Sequence, residues 1–165
     1  MRYFARETNG EDGPIEDFFM PQTPQEFAKR IARSLTSPNF LDGKYVFSLV
    51  VWGLPEGVCH VDDVPRSSPA RGTYIQCGGS TEAMTIEIRI THDDNSYEQY
   101  TVARHPVVDP EAWVTVSWDN GGPVPFNIQV HPEEIFTGEQ AVPVFRAYIE
   151  NNLLPPAELL RHINT

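Results

Sequence analysis

From Met84 to Ile90 the chain alternates without interruption, Met84, Ile86, Ile88 and Ile90 against Thr85, Glu87 and Arg89. A repeat of two is the signature of an extended strand with one face in a core and the other polar. Similar segments surround it. Thr73–Cys77 runs into a Gly78-Gly79-Ser80 turn, and Asp93-Asp94-Asn95-Ser96 turns the chain into Tyr97–Arg104. Beyond Pro106 and Pro110, Ala112–Trp118 reads as another strand. Asp119-Asn120-Gly121-Gly122 is a hairpin signal, with Val124, Phe126, Ile128 and Val130 alternating after it. Upstream, Asp42-Gly43 turns into Tyr45–Trp52, which is apolar on both faces and fits an interior strand covered on both sides.

Two segments switch to helical spacing. Thr23-Pro24-Gln25-Glu26 carries a capping box with Pro at the first helical position. Phe27, Ala28, Ile31, Ala32 and Leu35 then share one face until Ser37-Pro38 stops the helix. Thr137 and Gln140 repeat the capping-box spacing before Ala141, Val142, Phe145, Tyr148 and Ile149. Pro143 implies that this helix starts late or kinks after its first turn. Pro155-Pro156 opens a short final turn carrying Leu159, Leu160 and Ile163.

The expected fold is α+β: a mostly antiparallel sheet of about five or six strands, with an N-terminal amphipathic helix and C-terminal helices packed on one face. Residues 1–165 form a single domain, since this length suffices for one buried core. Its parts are an irregular arm over 1–20 with a short strand at Arg2–Arg6, a helix over 23–36, a sheet over 45–131 and C-terminal helices over 137–163. The connection 53–72 interrupts the sheet region and, at that length, marks a functional loop.

Charge narrows the partner class. The net charge is −11, and between Thr91 and Glu139 there are nine acidic residues against one basic, Arg104. Such a surface repels phosphate backbones and anionic lipid and speeds encounter with a basic protein. No nucleic-acid or membrane partner is therefore expected. The longest apolar run, around Val46–Trp52, is too short to cross a bilayer, and Met1–Glu7 is followed by acidic residues rather than a signal-peptide core. A cytoplasmic location with Cys59 and Cys77 as reduced thiols follows.

Catalytic patterns are weak. His60 with Asp62 and Asp63, and His92 with Asp93 and Asp94, have the residue types of a hard-metal site. Adjacent aspartates diverge, however, and turn chemistry accounts for the second set. Cys59-His60 adjoin in a loop, which makes no nucleophile dyad. Gly78-Gly79-Ser80 is too short to cradle phosphate and has no Lys after it. No catalytic residue, metal or cofactor is assigned. Glu87 and Arg89 share a strand face, as an exposed or cross-strand ion pair or as part of an open polar binding face. The aromatic residues are more numerous than a core requires, so some are available to anchor a partner. The expected partner-binding set is Trp52, Glu56, Asp62, Asp63, Glu87, Arg89, Asp93 and Asp94.

Three stretches of the second half resemble a known family. They are Tyr74-Ile75-Gln76 with Gly79-Ser80, Thr85-Ile86-Glu87-Ile88-Arg89, and Glu134-Ile135-Phe136-Thr137 continuing through Glu139, Ala141, Phe145, Tyr148, Pro155, Leu160 and Arg161. Over residues 73–162 the pattern is similar to actinobacterial members of the first-numbered immunity-protein family of bacterial polymorphic toxin systems, with Pro143 departing from it. The resemblance implies a small α+β protein, a monomer or weak homodimer, that binds and blocks a cognate toxin domain, often one like a nucleic-acid deaminase. It carries no catalytic residues over. Two alternatives stay open: an acidic secretion chaperone or adaptor, and an enzyme whose catalytic residues are scattered along the chain.

Overall fold

The computed structural model describes residues 4–17, 23–119 and 122–163. Within them the strands are β1 (Phe4–Gly10), β2 (Gly13–Asp17), β3 (Val46–Gly53), β4 (Tyr74–Gly79), β5 (Met84–Thr91), β6 (Tyr97–Val102), β7 (Val114–Trp118), β8 (Phe126–Val130) and β9 (Leu160–His162). The helices are α1 (Pro24–Thr36) and α2 (Gly138–Asn151). Seven strands form one sheet in the order β2-β1-β3-β4-β5-β6-β9, antiparallel at every pairing, while β7 and β8 pair apart from it. The fold is α+β.

The alternation in β5 does what its period requires. Leu49, Cys77 and Ile86 stand in one register row across β3, β4 and β5, and Val51, Ile75 and Ile88 in the next. All six are buried and meet Phe27, Ile31 and Leu35 of α1 together with Ala141, Phe145 and Ile149 of α2. Each fully buried side chain of this size stabilises by about 1.5–3 kcal/mol. Both helices begin with a complete capping box. Thr23 Oγ1 accepts from Glu26 N at 3.1 Å and Glu26 Oε2 accepts from Thr23 N at 2.9 Å. The same exchange joins Thr137 and Gln140 at 3.3 and 2.9 Å. Gly138 lets α2 start against the end of α1, for a Cβ there would lie 1.9 Å from the Leu35 carbonyl oxygen.

Several expectations are corrected. Much of the N-terminal arm is the β1–β2 hairpin: Phe4 and Thr8 are buried, and the Asp12-Gly13 turn uses a glycine with φ +86°. The start of the strand anticipated at Arg2–Arg6 lies outside the described residues, as does the Asn120-Gly121 tip of the second hairpin. The strands expected at Ala112–Trp118 and Val124–Val130 leave the main sheet, because the edge of β6 is occupied by β9. Residues after Pro155-Pro156 are not a helix. They make a one-turn 3-10 element at Ala157–Leu159 and then β9, which pairs Leu160, Arg161 and His162 with Val102, Thr101 and Tyr100. An open strand edge offers backbone hydrogen bonds that so short a helical segment could not match. Pro143 sits inside α2, which starts before it at Gly138.

Candidate functional site

The sheet face turned away from the helices has polar rows. One runs Glu7, Val50, Gln76, Glu87, Thr101 and Arg161 across β1, β3, β4, β5, β6 and β9. Beside it lie Tyr74, Arg89 and Gln99 on one flank and Ser48, Gly78 and Thr85 on the other.

The connection after β3 folds back over one end of this face. Val50 and Trp52 pack with Leu54, Val61 and Val64 in a second, smaller core, and Trp52 meets Tyr74 edge-on with ring centroids 6.1 Å apart. Arg71 ties the loop together, donating to the carbonyls of Val61 at 2.8 Å and Val64 at 3.0 Å and to Asp62 Oδ1 at 3.0 Å. Glu16 of β2 accepts from Val61 N at 3.0 Å.

The β7–β8 hairpin covers the other end. Trp118 closes against Gly78, where a Cβ would come 2.8 Å from the indole ring. Asp119 N donates to Gly43 O at 3.0 Å. Between hairpin and sheet is a cavity of about 270 Å³ whose lining includes Phe47, Ser48, Gln76, Glu87, Trp118 and Phe126. Phe47 reaches it through a β-bulge: the β1–β3 register slips between Asn9 and Gly10, leaving Phe47 without a partner.

The structure divides the eight sequence-derived residues among three settings. Trp52 is 8 % exposed and belongs to the small core, so its ring supports the loop and is not a surface anchor. Glu56, Asp62, Asp63, Asp93 and Asp94 are exposed. The two aspartate pairs are thirty residues apart in the chain, and the segments that carry them, the loop before β4 and the β5–β6 turn, leave the sheet at the same end. Thr91, just before the β5–β6 turn, donates through Oγ1 to Gly72 O at 2.7 Å, and its N–H donates to Thr73 Oγ1 at 3.0 Å. Within the turn, hydrogen bonds from the side chain and backbone of Ser96 hold the Asp94 carboxyl below the usual carboxylate range.

Glu87 and Arg89 share the outer face as expected but do not form an ion pair. Glu87 Oε2 accepts from Gln76 Nε2 and Gln99 Nε2, both at 2.8 Å. The Arg89 guanidinium sits 3.7 Å from the Tyr97 ring centroid, and its buried Nε has no hydrogen-bond partner.

Sequence reasoning missed Gln76, Gln99, Trp118 and Phe126 as members of this face. It also missed a buried ion pair beside it. Glu134 is fully buried and takes Arg161 Nε on Oε1 at 2.6 Å and Nη2 on Oε2 at 3.0 Å. On the far side of α2, an apolar groove of about 510 Å³ runs among Val102, Phe136, Val144, Leu153 and Leu154.

Among the described residues no group of three His, Cys, Asp or Glu side chains could hold a metal ion, and no helix is long and apolar enough to cross a membrane. Comparisons with models of protein families, with curated proteins and with solved structures find no match.

Proposed function

We propose that this is a binding protein that captures a basic toxin domain and blocks it, in the manner of an immunity protein of a polymorphic toxin system. The observation that carries the reading is that the loop bearing Asp62-Asp63 and the β5–β6 turn bearing Asp93-Asp94 leave the sheet at the same end, where Thr91 hydrogen-bonds Gly72 and Thr73. A chain with 23 acidic and 12 basic residues that gathers exposed carboxylates at one pole favours encounter with a positive surface. Nucleic acid and anionic membranes are poor partners for the same reason. A blocking interface of ordinary size covers roughly 800 Å² on each partner, enough to close a toxin's substrate path. We take the cytoplasm as the compartment, with both cysteines as thiols, and the monomer or a weak homodimer as the working form.

The test is affinity capture from the native host with the tagged full chain, followed by mass spectrometry and association kinetics on the captured partner. A basic protein domain is expected. Asp62→Lys with Asp63→Lys, and Asp93→Lys with Asp94→Lys, are each expected to slow association by about tenfold at low salt while leaving folding intact. Unchanged association and protection with both double variants would remove the acidic pole from the interface.

The groove beside α2 favours a second reading, a secretion chaperone holding an apolar client segment against Leu153 and Leu154. Capture of an extended, unfolded segment in place of a folded domain would decide for it.

A further inference from the structure

The cavity under the β7–β8 hairpin contains a carboxylate that no described residue neutralises. Both amide donors of Glu87, Gln76 and Gln99, are uncharged and both address Oε2. Oε1 makes no hydrogen bond among the described residues, and no Lys, Arg or His nitrogen stands within 4.0 Å of either oxygen. Arg89, the nearest cation along the strand, is committed to the face of Tyr97. The two amides fix the carboxylate in place without cancelling its charge.

Three aromatic rings share the lining with Ser48, Gln76, Cys77, Gly78, Thr85 and Ile128. Trp118 and Phe126, with ring centroids 4.7 Å apart, lie on the hairpin side, and the bulged Phe47 adds a third ring from β3. A carboxylate that shares a cavity with aromatic rings selects for positive charge. A cation gains from Glu87 and from whatever ring face it can reach, an anion is repelled, and an apolar group would strip water from the carboxylate without replacing its hydrogen bonds. The volume sets the size. About 270 Å³ is below the roughly 300–1,000 Å³ of pockets that enclose whole ligands, and it fits the end of one long side chain.

We infer that this cavity receives a single cationic side chain, arginine or lysine, inserted by a basic protein partner. The inference rests on the reading of the chain as a binding protein and deepens it: the acidic pole speeds encounter, while the cavity fixes register and slows release. Aromatic and arginine groups meeting in a desolvated pocket are the usual composition of such anchor points.

The site can be tested without the partner. The full chain is titrated with N-acetylarginine amide and N-acetyllysine amide, following the backbone amide signals of Gly78 and Thr85 by NMR. The uncharged N-acetylcitrulline amide is the control. Saturable binding with a Kd on the order of 1 mM is expected for the cations, with none for the control. Glu87→Gln, which keeps the shape and the amide contacts, is expected to weaken binding at least fivefold, and Trp118→Leu to do the same through loss of the ring. Asp62→Lys with Asp63→Lys should leave it unchanged.

Equal binding of citrulline, no saturation at about ten times that concentration, or full affinity in a folded Glu87→Gln protein would each overturn the site. On the captured partner, Glu87→Gln is expected to raise the dissociation rate about tenfold. A wild-type dissociation rate, with the amino-acid titration still positive, would assign the cavity to a free organic cation and overturn the protein side chain as its occupant. Failure to capture any protein would remove the proposed function, while the titration would still decide the chemistry of the cavity.

Discussion

The two faces of the central sheet come from the same strands but are finished differently. Toward the helices, Leu49, Ile75, Ile86 and Ile88 meet α1 and α2 in one continuous apolar layer. Toward the loop and the hairpin, cover is divided into a small core at one end, a hairpin at the other and polar rows between. Trp52 Nε1, Arg89 Nε and Thr101 Oγ1, three buried polar atoms without hydrogen-bond partners among the described residues, all belong to the second face. Each such group costs about 1–3 kcal/mol relative to a satisfied one. The outer face is thus filled less completely than the helix side, and it is the face on which the proposed interface lies.

The contrast can be broken by mutation. Phe27→Ala, in the α1 layer and stacked on Phe4 at 5.2 Å, should lower global stability by about 3–5 kcal/mol, read from urea unfolding. Against a total of roughly 5–15 kcal/mol this approaches loss of the fold. Glu134→Gln leaves Arg161 without its charge partner and should cost about 2–3 kcal/mol, less than a fully sealed pair because Arg161 is partly exposed. Hydrogen exchange should quicken first in Tyr100–Val102, whose partner strand is β9.

Leu54→Ala, in the small core, should cost about 2 kcal/mol and act locally. Amides of the loop should exchange faster while those of β5 keep their protection. Uniform acceleration in both would show that the two cores unfold as one unit, and the distinction between the faces would fail.

The smallest effect concerns the thiols. Cys59 is partly exposed and should react at once with a thiol reagent. Cys77 is buried on the helix side and should react only on unfolding. Burial pushes the Cys77 thiol from 9.0 up to about 12. The folded protein therefore holds this proton over a range in which the unfolded chain has lost it. The stabilisation is complete below about pH 9 and is lost as pH rises toward 12. The thermal stability of the wild type should fall with pH above 9 more steeply than that of Cys77→Ala.

Local periodicity made much of this legible. The alternation in β5, the two capping boxes and the doubly apolar β3 reported their own structure because the physics of each is contained within a few residues. The acidic residues were readable as a set, but not the shared end of the sheet from which their two segments leave, which depends on β4 and β5 bringing Gly72 and Thr91 together. Gln76 could have been found from parity, since a hairpin through Gly78–Ala83 sets it opposite Glu87. The pairing of β9 with β6 had no local signal, because Leu160–His162 is too short to declare a conformation and takes one from the edge it meets. Trp52 was misjudged for a related reason: a polar, proline-rich loop looks exposed until its Leu54, Val61 and Val64 fold back over the ring.

Gly78 has a consequence of its own. Nothing larger than hydrogen fits between that α-carbon and the indole above it, while its backbone conformation suits any residue. One methyl group added there works as a wedge, lifting the roof from the chamber without disturbing the helices behind the floor. A single substitution thus separates the scaffold from the chamber beneath its hairpin.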